Sequence, residues 1–228
     1  MQARQLEILE ALGVHAYVSR TRPHAQSPAP STPPAEEAQD ANSPDWETLA
    51  ATVRECRLCG LCETRTQTVF GVGNRNARLM VIGEAPGAEE DRQGEPFVGR
   101  AGMLLNSMLR AAGFERGEVF VANVLKCRPP HNRDPSQEES DRCLPYLRRQ
   151  IELVSPSAIL CVGRIAAQRL LGTEMPLARL RGRVHDLDGR PVVVTYHPAY
   201  LLRSPGEKRK SWDDLKLALG VLARGNGA

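Results

Sequence analysis

The stretch that decides the fold is Leu79-Met80-Val81-Ile82-Gly83-Glu84-Ala85-Pro86-Gly87, an apolar run that ends in a polar loop shaped by glycine and proline. A second stretch with the same design comes much later, where Val192–Tyr196 leads into His197-Pro198-Ala199-Tyr200-Leu201-Leu202-Arg203. Each apolar run predicts a β-strand. In an open α/β sheet, ligands bind beyond the carboxyl ends of the strands. The two loops therefore predict one shared site at an edge of the sheet.

Strands and helices alternate along the chain from Trp46 onward. Short runs rich in valine and isoleucine predict strands covered on both faces, at Arg78–Gly83, Val119–Asn123, Ala158–Val162 and Pro191–Tyr196. Apolar periodicity with end signals predicts helices between them, at Arg100–Ala112, Pro135–Val154, Arg164–Leu171 and Trp212–Ala223. The sequence thus predicts a three-layer α/β/α fold with a central, mainly parallel four-stranded sheet.

Local signals refine this prediction at three places. Asp134 and Ser211 precede the second and fourth predicted helices and are the expected N-caps. Asp188-Gly189 is a dipeptide typical of tight hairpin turns, so we expect a hairpin that leads into the last strand.

The residues before this domain have a different composition. Residues 1–21 carry leucines at helical spacing and predict a short helical segment, with a docking peptide as its expected role. Residues 22–45 are rich in proline and alanine and predict a flexible linker. Residues 46–228 form the predicted folded domain.

The overall composition is that of a soluble globular protein, with 228 residues, 41% hydrophobic and 25% charged. A formal net charge of +3 permits nucleic-acid binding without arguing for it. No apolar run reaches the roughly 18 residues of a membrane span, and the first residues lack the apolar core of a signal peptide. We therefore expect a cytoplasmic protein that does not bind membranes.

The cysteine spacing indicates a metal centre. Six cysteines without a secretory context favour metal or redox chemistry over disulfides. Three are spaced two residues apart and two follow much later: Cys56, Cys59, Cys62, Cys127 and Cys143. A zinc ribbon usually has a second close pair, so the wide later spacing favours a larger cluster that bridges separate elements. Unligated buried cysteines are the alternative, and Cys161, within an apolar strand, is expected to be core.

Together these residues resemble the uracil-DNA glycosylase superfamily, specifically its family 4, the iron–sulfur branch of bacteria and archaea. The resemblance covers about residues 48–222 and is carried by six motifs in order: Cys56-x-x-Cys59, Gly83–Gly87, Pro96–Gly99, Asn123–Pro130, Cys143 and His197–Arg203. It implies a monomeric repair enzyme of the bacterial cytoplasm and nucleoid that removes uracil from DNA and leaves an abasic site. It also implies a [4Fe–4S] cluster on Cys56, Cys59, Cys127 and Cys143, with Cys62 outside the set.

The implied reaction needs a pocket for a flipped base and a group that reads its edge. It also needs a group near the sugar cation and a stabiliser for the leaving anion. Phe97 is the predicted stacking platform, and the amide of Asn123 is the predicted reader of O4 and N3–H of uracil. Glu84 is predicted to orient the attacking water or to stabilise the cation electrostatically. His197 is the predicted donor to uracil O2.

Other residues of the first loop have less specific expected roles. Ala85 lies in the Gly83–Gly87 turn, whose backbone N–H groups are placed to hold uracil O2. Glu90 and Asp91 have two open interpretations, in which they line the pocket against the thymine methyl group or cap a helix.

The second loop and nearby cations are predicted to contact DNA. Tyr200, Leu201 and Leu202 are apolar loop residues, and Leu201 or Leu202 is the predicted wedge for the gap left by the extruded base, with a buried leucine as the alternative. The predicted phosphate contacts are Arg203, Lys126, Arg128, Arg133 and the run Lys208–Lys210.

Two alternative functions stay open. One is the superfamily branch that becomes covalently linked to the sugar through a histidine on a basic loop. Arg179–His185 is basic and contains a histidine, but without an insertion we interpret it as an ordinary turn and hairpin. The other is a non-catalytic iron–sulfur DNA-binding module, which the presence of Glu84, Asn123 and His197 disfavours.

Residues 1–20 are loosely similar to the N-terminal peptide of a bacterial clamp-loader psi subunit. The similarity predicts a contact with the replisome or clamp loader. The alternative is an additional helix packed on the domain or a disordered tail.

Overall fold

The structure, a computed structural model, describes residues 44–224, and within them a six-stranded sheet has the order β1-β3-β2-β4-β6-β5. The strands are Val72–Gly73 (β1), Leu79–Gly83 (β2), Phe120–Asn123 (β3), Ala158–Val162 (β4), Val184–Leu187 (β5) and Arg190–Thr195 (β6). The four inner strands β3, β2, β4 and β6 are parallel to their neighbours. The predicted fold class and its four parallel strands are therefore confirmed, with one antiparallel strand added at each edge.

The helices lie between these strands and after the last of them. Their bounds are Pro44–Glu55 (α1), Leu61–Thr64 (α2), Ala88–Gln93 (α3), Arg100–Ala111 (α4), Gln137–Val154 (α5), Arg164–Leu171 (α6), Leu177–Leu180 (α7), Pro198–Arg203 (α8) and Lys208–Arg224 (α9). Residues 1–21 and most of the predicted linker lie outside the described residues. The first described helix, α1, contains Pro44 in its first turn, where proline is well tolerated, and the predicted domain start at residue 46 stays a prediction.

Successive side chains of β2 enter two different cores, as the two-residue period of a strand requires. Met80 and Ile82 pack in one core, to which α1, α5, α6 and α7 contribute. Leu79 and Val81 pack in the other, to which α4 and α9 contribute. Since both faces are covered, every residue of β2, β3 and β4 is buried.

Both predicted N-caps are wrong. Ser136 caps α5, because its hydroxyl accepts the backbone N–H of Glu139 at 3.1 Å while the Glu139 carboxylate accepts the N–H of Ser136 at 2.9 Å. Asp134 instead forms an ion pair with Arg164 at 3.2 Å. Ser211 lies inside α9, buried at its contact with β6, because the helix begins earlier, at Lys208.

The predicted hairpin is confirmed between β5 and β6. Asp188 and Gly189 connect the two strands with positive φ values of 51° and 80°. Glycine adopts such angles at little cost and aspartate more readily than most residues. Within the described part of the chain, no helix combines the length and apolarity that crossing a bilayer requires.

Candidate active site

The carboxyl ends of β2, β3 and β6 open into one cavity of about 500 Å³, here called the main cavity. The predicted site residues among its walls are Glu84, Ala85, Glu90, Phe97, Asn123, His197, Tyr200 and Arg203. The parallel strands bring these residues together although the chain separates them widely. Concave sites of this size at the ends of parallel strands commonly bind small molecules or parts of larger ones.

Asn123 lies at the end of β3 and is only 2% exposed. Its side-chain oxygen Oδ1 is buried and has no hydrogen-bond partner among the described residues. An unsatisfied buried polar atom costs about 1–3 kcal/mol, so its presence at a cavity wall indicates a ligand that completes the bond. Gly83, its partner in β2, allows this placement because a Cβ there would overlap Asn123 Oδ1 and the ring of Phe97.

Phe97 forms an aromatic wall of the main cavity and is 6% exposed. Its ring lies 5.7 Å from the ring of His197, with 29° between the two planes. Its backbone has a positive φ of 55°, which is uncommon for a residue with a side chain. Gly102 of α4 fits beneath it, because a Cβ at this position would overlap the backbone of Phe97.

Glu90 connects the two halves of the first loop. One carboxylate oxygen accepts the N–H groups of Val98 and Gly99 at 3.0 and 3.2 Å, and the other accepts the N–H of Gly87 at 3.1 Å. Glu90 therefore caps α3 and also lines the main cavity, while its position against a thymine methyl group stays a prediction. These bonds hold the loop around Phe97 in place.

His197 is a neutral hydrogen-bond donor at physiological pH. Burial lowers its pKa to about 4, and the nearby positive charge of Arg203 acts in the same direction. Its Nδ1 accepts the backbone N–H of Ala199 at 3.1 Å, so the neutral ring carries its proton on Nε2. The residue also caps α8, which fixes the ring at the start of that helix.

Glu84 follows β2 directly and lines the same cavity. Burial raises the pKa of its carboxyl to about 7; the negative charge of Asp134 adds to this rise and Arg164 opposes it. A carboxyl group in this range exchanges protons near neutral pH, which suits a general base, and its ionised form can stabilise a cation electrostatically.

The structure corrects the prediction for the wedge. Leu201 is 1% exposed and packs towards α4 and α9, so its side chain is not available to enter DNA. Leu202 and Tyr200 are each 37% exposed. The helical spacing of α8 explains the difference, because neighbouring residues on one turn face in different directions.

The predictions for charged residues also need correction. Lys126 is 1% exposed, with its Nζ donating to the Asn123 carbonyl oxygen at 2.8 Å, and so cannot contact phosphate. Arg133 lines the main cavity, forms an ion pair with Glu139 at 2.6 Å and keeps 47% of its side chain exposed, so its phosphate contact stays a prediction. Asp91 lies away from the main cavity, buried, where its carboxylate accepts the backbone N–H of Thr66.

Two residues of the cavity wall, Ala101 and Asn132, lie outside every motif that the sequence predicted for the site. Asn132 has a positive φ of 53° and its Oδ1 accepts a hydrogen bond from Arg128 at 2.8 Å. The sequence position of Asn132 could have indicated its place in the cavity wall, because the loop that carries it follows Asn123 at the same edge of the sheet.

Five cysteines line a second, small cavity, here called the thiol cavity: Cys56, Cys59, Cys62, Cys127 and Cys143. Arg65 Nη1 donates to Cys127 Sγ at 2.8 Å, and the backbone N–H of Lys126 donates to Cys143 Sγ at 3.2 Å. Within residues 44–224, no three or more histidine, cysteine or carboxylate side chains are already arranged to hold a metal ion. The donors nevertheless fit an iron–sulfur cluster in kind, because thiols from separate elements converge there. Cys161 is buried in β4, as predicted.

A family model described as the uracil DNA glycosylase superfamily matches residues 70–216. The chain belongs to this superfamily. A type-4 uracil-DNA glycosylase of Archaeoglobus fulgidus is 45% identical over 75% of this chain and 91% of its own length. A type-4 uracil-DNA glycosylase of Thermotoga maritima is 44% identical over 69% of this chain and 83% of its own length. One of Pyrobaculum aerophilum is 38% identical over 77% of this chain and 94% of its own length. The resemblance stated from the sequence is thereby confirmed.

Proposed function

We propose that this chain is a monofunctional uracil-DNA glycosylase of DNA repair, which flips uracil out of DNA and hydrolyses its N-glycosidic bond to leave an abasic site. The observation that carries the proposal is the buried, unpartnered Oδ1 of Asn123 at the wall of the main cavity. The type-4 uracil-DNA glycosylases that share most of this chain support the same activity.

Asn123 distinguishes uracil from cytosine. Its Oδ1 accepts N3–H of uracil while its amide N–H donates to O4. Cytosine presents an acceptor at N3 and a donor at position 4, so both bonds would be mispaired. Each mispaired buried polar group costs about 1–3 kcal/mol, which lets one side chain discriminate strongly. Phe97 supplies a flat apolar surface for the flipped base, worth about 1–3 kcal/mol for a stacked base.

Glu84 and His197 act on opposite charges of the transition state. Water attacks C1′ of the sugar as the bond to N1 breaks, and the electron pair of that bond leaves with uracil. The Glu84 carboxylate stabilises the sugar cation and accepts the proton that the water loses. His197 donates its Nε2–H to uracil O2, where negative charge develops. Ala85 and its loop neighbours add backbone N–H groups near the same oxygen.

The DNA-contacting surface is the exposed side of α8. Tyr200 and Arg203 border the main cavity, and Leu202 is exposed beside them. We assign Leu202 as the wedge and Arg203 as a phosphate contact. Arg203 positions the DNA without reading its sequence.

We further propose that Cys56, Cys59, Cys127 and Cys143 hold a [4Fe–4S] cluster, with Cys62 outside the ligand set. When bound, the cluster supplies a cross-link between the segment before the sheet and the loop after β3. Burial raises the pKa of the Cys127 thiol, and the hydrogen bond from Arg65 opposes this rise, which supports the assignment because a metal ligand requires the thiolate form.

Residues 1–21 remain a proposed docking peptide, joined by a linker over residues 22–45. We expect deletion of residues 1–45 to leave uracil excision intact and to weaken association with a clamp-loader complex. A pull-down that is unchanged by the deletion would contradict this role.

The decisive test is a denaturing-gel assay of a uracil-containing oligonucleotide before and after alkali. We expect alkali-dependent cleavage by the wild type and a roughly 10- to 100-fold loss in Asn123→Ala, from the cost of the lost bonds. Asn76→Ala, at an exposed position, is the matched control and should behave as the wild type.

Two other results would refute this proposal. A slow, denaturant-resistant protein–DNA band would assign the chain to the covalently linked branch and make His185 the candidate nucleophile. In the structure, His185 lies on the strand β5 and not on an inserted basic loop. Its Nε2 is 2.6 Å from the Leu180 carbonyl oxygen. Absence of any product from cluster-loaded protein would leave a DNA-binding module.

A further inference from the structure

Lys126 contacts both the cysteine site and the proposed uracil-binding residue. Its Nζ donates to the carbonyl oxygen of Asn123 at 2.8 Å and to Oε1 of Gln150 at 2.6 Å. Its own backbone N–H donates to Cys143 Sγ at 3.2 Å, and Cys127 is the next residue in the chain. Lys126 therefore contacts Cys143 through its backbone and Asn123 through its side chain, which links the two sites.

The charge of this lysine has no carboxylate partner among the described residues. Both groups that accept its hydrogen bonds are neutral, and the side chain is 1% exposed. A buried cation is costly unless an opposite charge compensates it. The ionisable groups that interact with it electrostatically are the thiols of Cys143 and Cys127. Lys126 also lines the thiol cavity, so anionic sulfur in that cavity is the opposite charge that the described residues place beside it.

We propose that Lys126 is a positioning residue that binds the anionic iron–sulfur site electrostatically and holds the backbone of Asn123 through its ammonium group. This inference rests on the cluster assignment made above. Four thiolates leave a bound cluster with net negative charge, which compensates the ammonium without a carboxylate. The same ammonium then fixes the end of β3, where Asn123 must present its amide to uracil. Cluster occupancy and uracil binding are thereby coupled through one side chain.

The first test compares Lys126→Met with Lys216→Met in cluster-loaded, full-length protein. Methionine keeps the length of the side chain and removes its charge, and Lys216 is an exposed lysine that serves as the matched control. A nearby positive charge favours the reduced, more negative cluster, so Lys126→Met should have a more negative reduction potential than the wild type. It should also bind about tenfold more weakly to an oligonucleotide with a cleavage-resistant, 2′-fluorinated deoxyuridine. Lys216→Met should change neither property, and an unchanged potential in Lys126→Met would overturn the proposal.

A second pair of variants keeps the test decisive if Lys126→Met does not fold. Both variants lose the donation from Gln150 Nε2 to the Phe70 carbonyl oxygen. Gln150→Glu keeps an acceptor for the ammonium and adds a negative charge, whereas Gln150→Met removes the acceptor without adding charge. We expect a more negative potential in Gln150→Glu than in Gln150→Met, and equal potentials would contradict the proposal. The proposal would also be overturned if the wild-type protein bound no iron. Uracil release by the wild type, measured in parallel, tests the proposed function separately, because it does not depend on either comparison.

Discussion

Lowering the pH from about 8 to about 6 is expected to slow uracil excision about tenfold, because Glu84 acts as a carboxylate and its pKa is about 7. Both proposed roles of Glu84, accepting a proton and stabilising a cation, require the ionised form. Activity is therefore present above the pKa and is lost as the pH falls through it. His197 does not contribute to this change, because its pKa of about 4 keeps it neutral over the whole range.

The shifted pKa also gives the free-energy cost of ionising this buried carboxyl group. A pKa of about 7 against the ordinary 4.5 means that ionisation in the free cavity costs at most about 3 kcal/mol more than in water. The folded chain thus binds this proton more tightly than the unfolded chain. The corresponding contribution to stability is complete below about pH 4.5 and is lost as the pH rises through about 7. Stability and activity should consequently change in opposite directions over this interval.

The assay is single-turnover excision from a uracil-containing oligonucleotide across this pH range, with wild type and Glu84→Gln. Glutamine keeps the shape of the side chain but cannot ionise. We expect a slower variant whose rate no longer depends on pH in this interval. A wild-type rate that is flat, or a pH profile that Glu84→Gln retains, would refute the assignment.

Three further predictions concern the DNA-contacting surface and the fold. Leu202→Ala should lower excision from duplex DNA without changing the melting temperature, whereas Leu201→Ala should destabilise the fold by about 2–5 kcal/mol in urea titrations because it empties a buried position; similar stabilities for the two variants would contradict the assigned orientations. Arg203→Ala should reduce the slope of log affinity against log salt by about 1, measured by fluorescence anisotropy, and an unchanged slope would exclude a phosphate contact. Asp214→Ala should cost about 3–5 kcal/mol in thermal or urea unfolding, because it leaves the largely buried guanidinium of Arg181, now 2.6 Å from the carboxylate, without a partner; a loss below about 1 kcal/mol would show that this pair contributes little.

The strands and the loop residues beyond them could be predicted because their signals are local. Leu79–Gly83 combines an apolar run with a polar loop, and both properties are visible in the sequence. The N-cap of α5 was misplaced because Asp134 and Ser136 are both good capping residues, and only the reciprocal bond with Glu139 decides between them. The capping preference of a residue type does not specify which hydrogen-bond partner that residue finds in the fold.

Burial of individual side chains was harder to predict. Lys126 was expected at the surface because lysine is seldom buried, yet its Nζ forms hydrogen bonds to groups that are brought together only by the fold. The orientation of Leu201 and Leu202 likewise depends on where α4 and α9 pack against α8. These features arise from tertiary contacts between distant segments, which a single sequence does not specify.

The positive φ of Phe97 has a consequence for engineering the protein. A residue with a side chain in this conformation costs of the order of 1–3 kcal/mol, which the surrounding hydrogen bonds of Glu90 must offset. Replacing Phe97 with glycine would relieve that cost, but it would also empty a buried position, which costs about 3–5 kcal/mol for a phenylalanine, and it would remove the aromatic wall of the cavity. Selection on melting temperature alone would thus retain Phe97 together with its strained backbone, so stability and the binding of a flipped base place the same demand on this position.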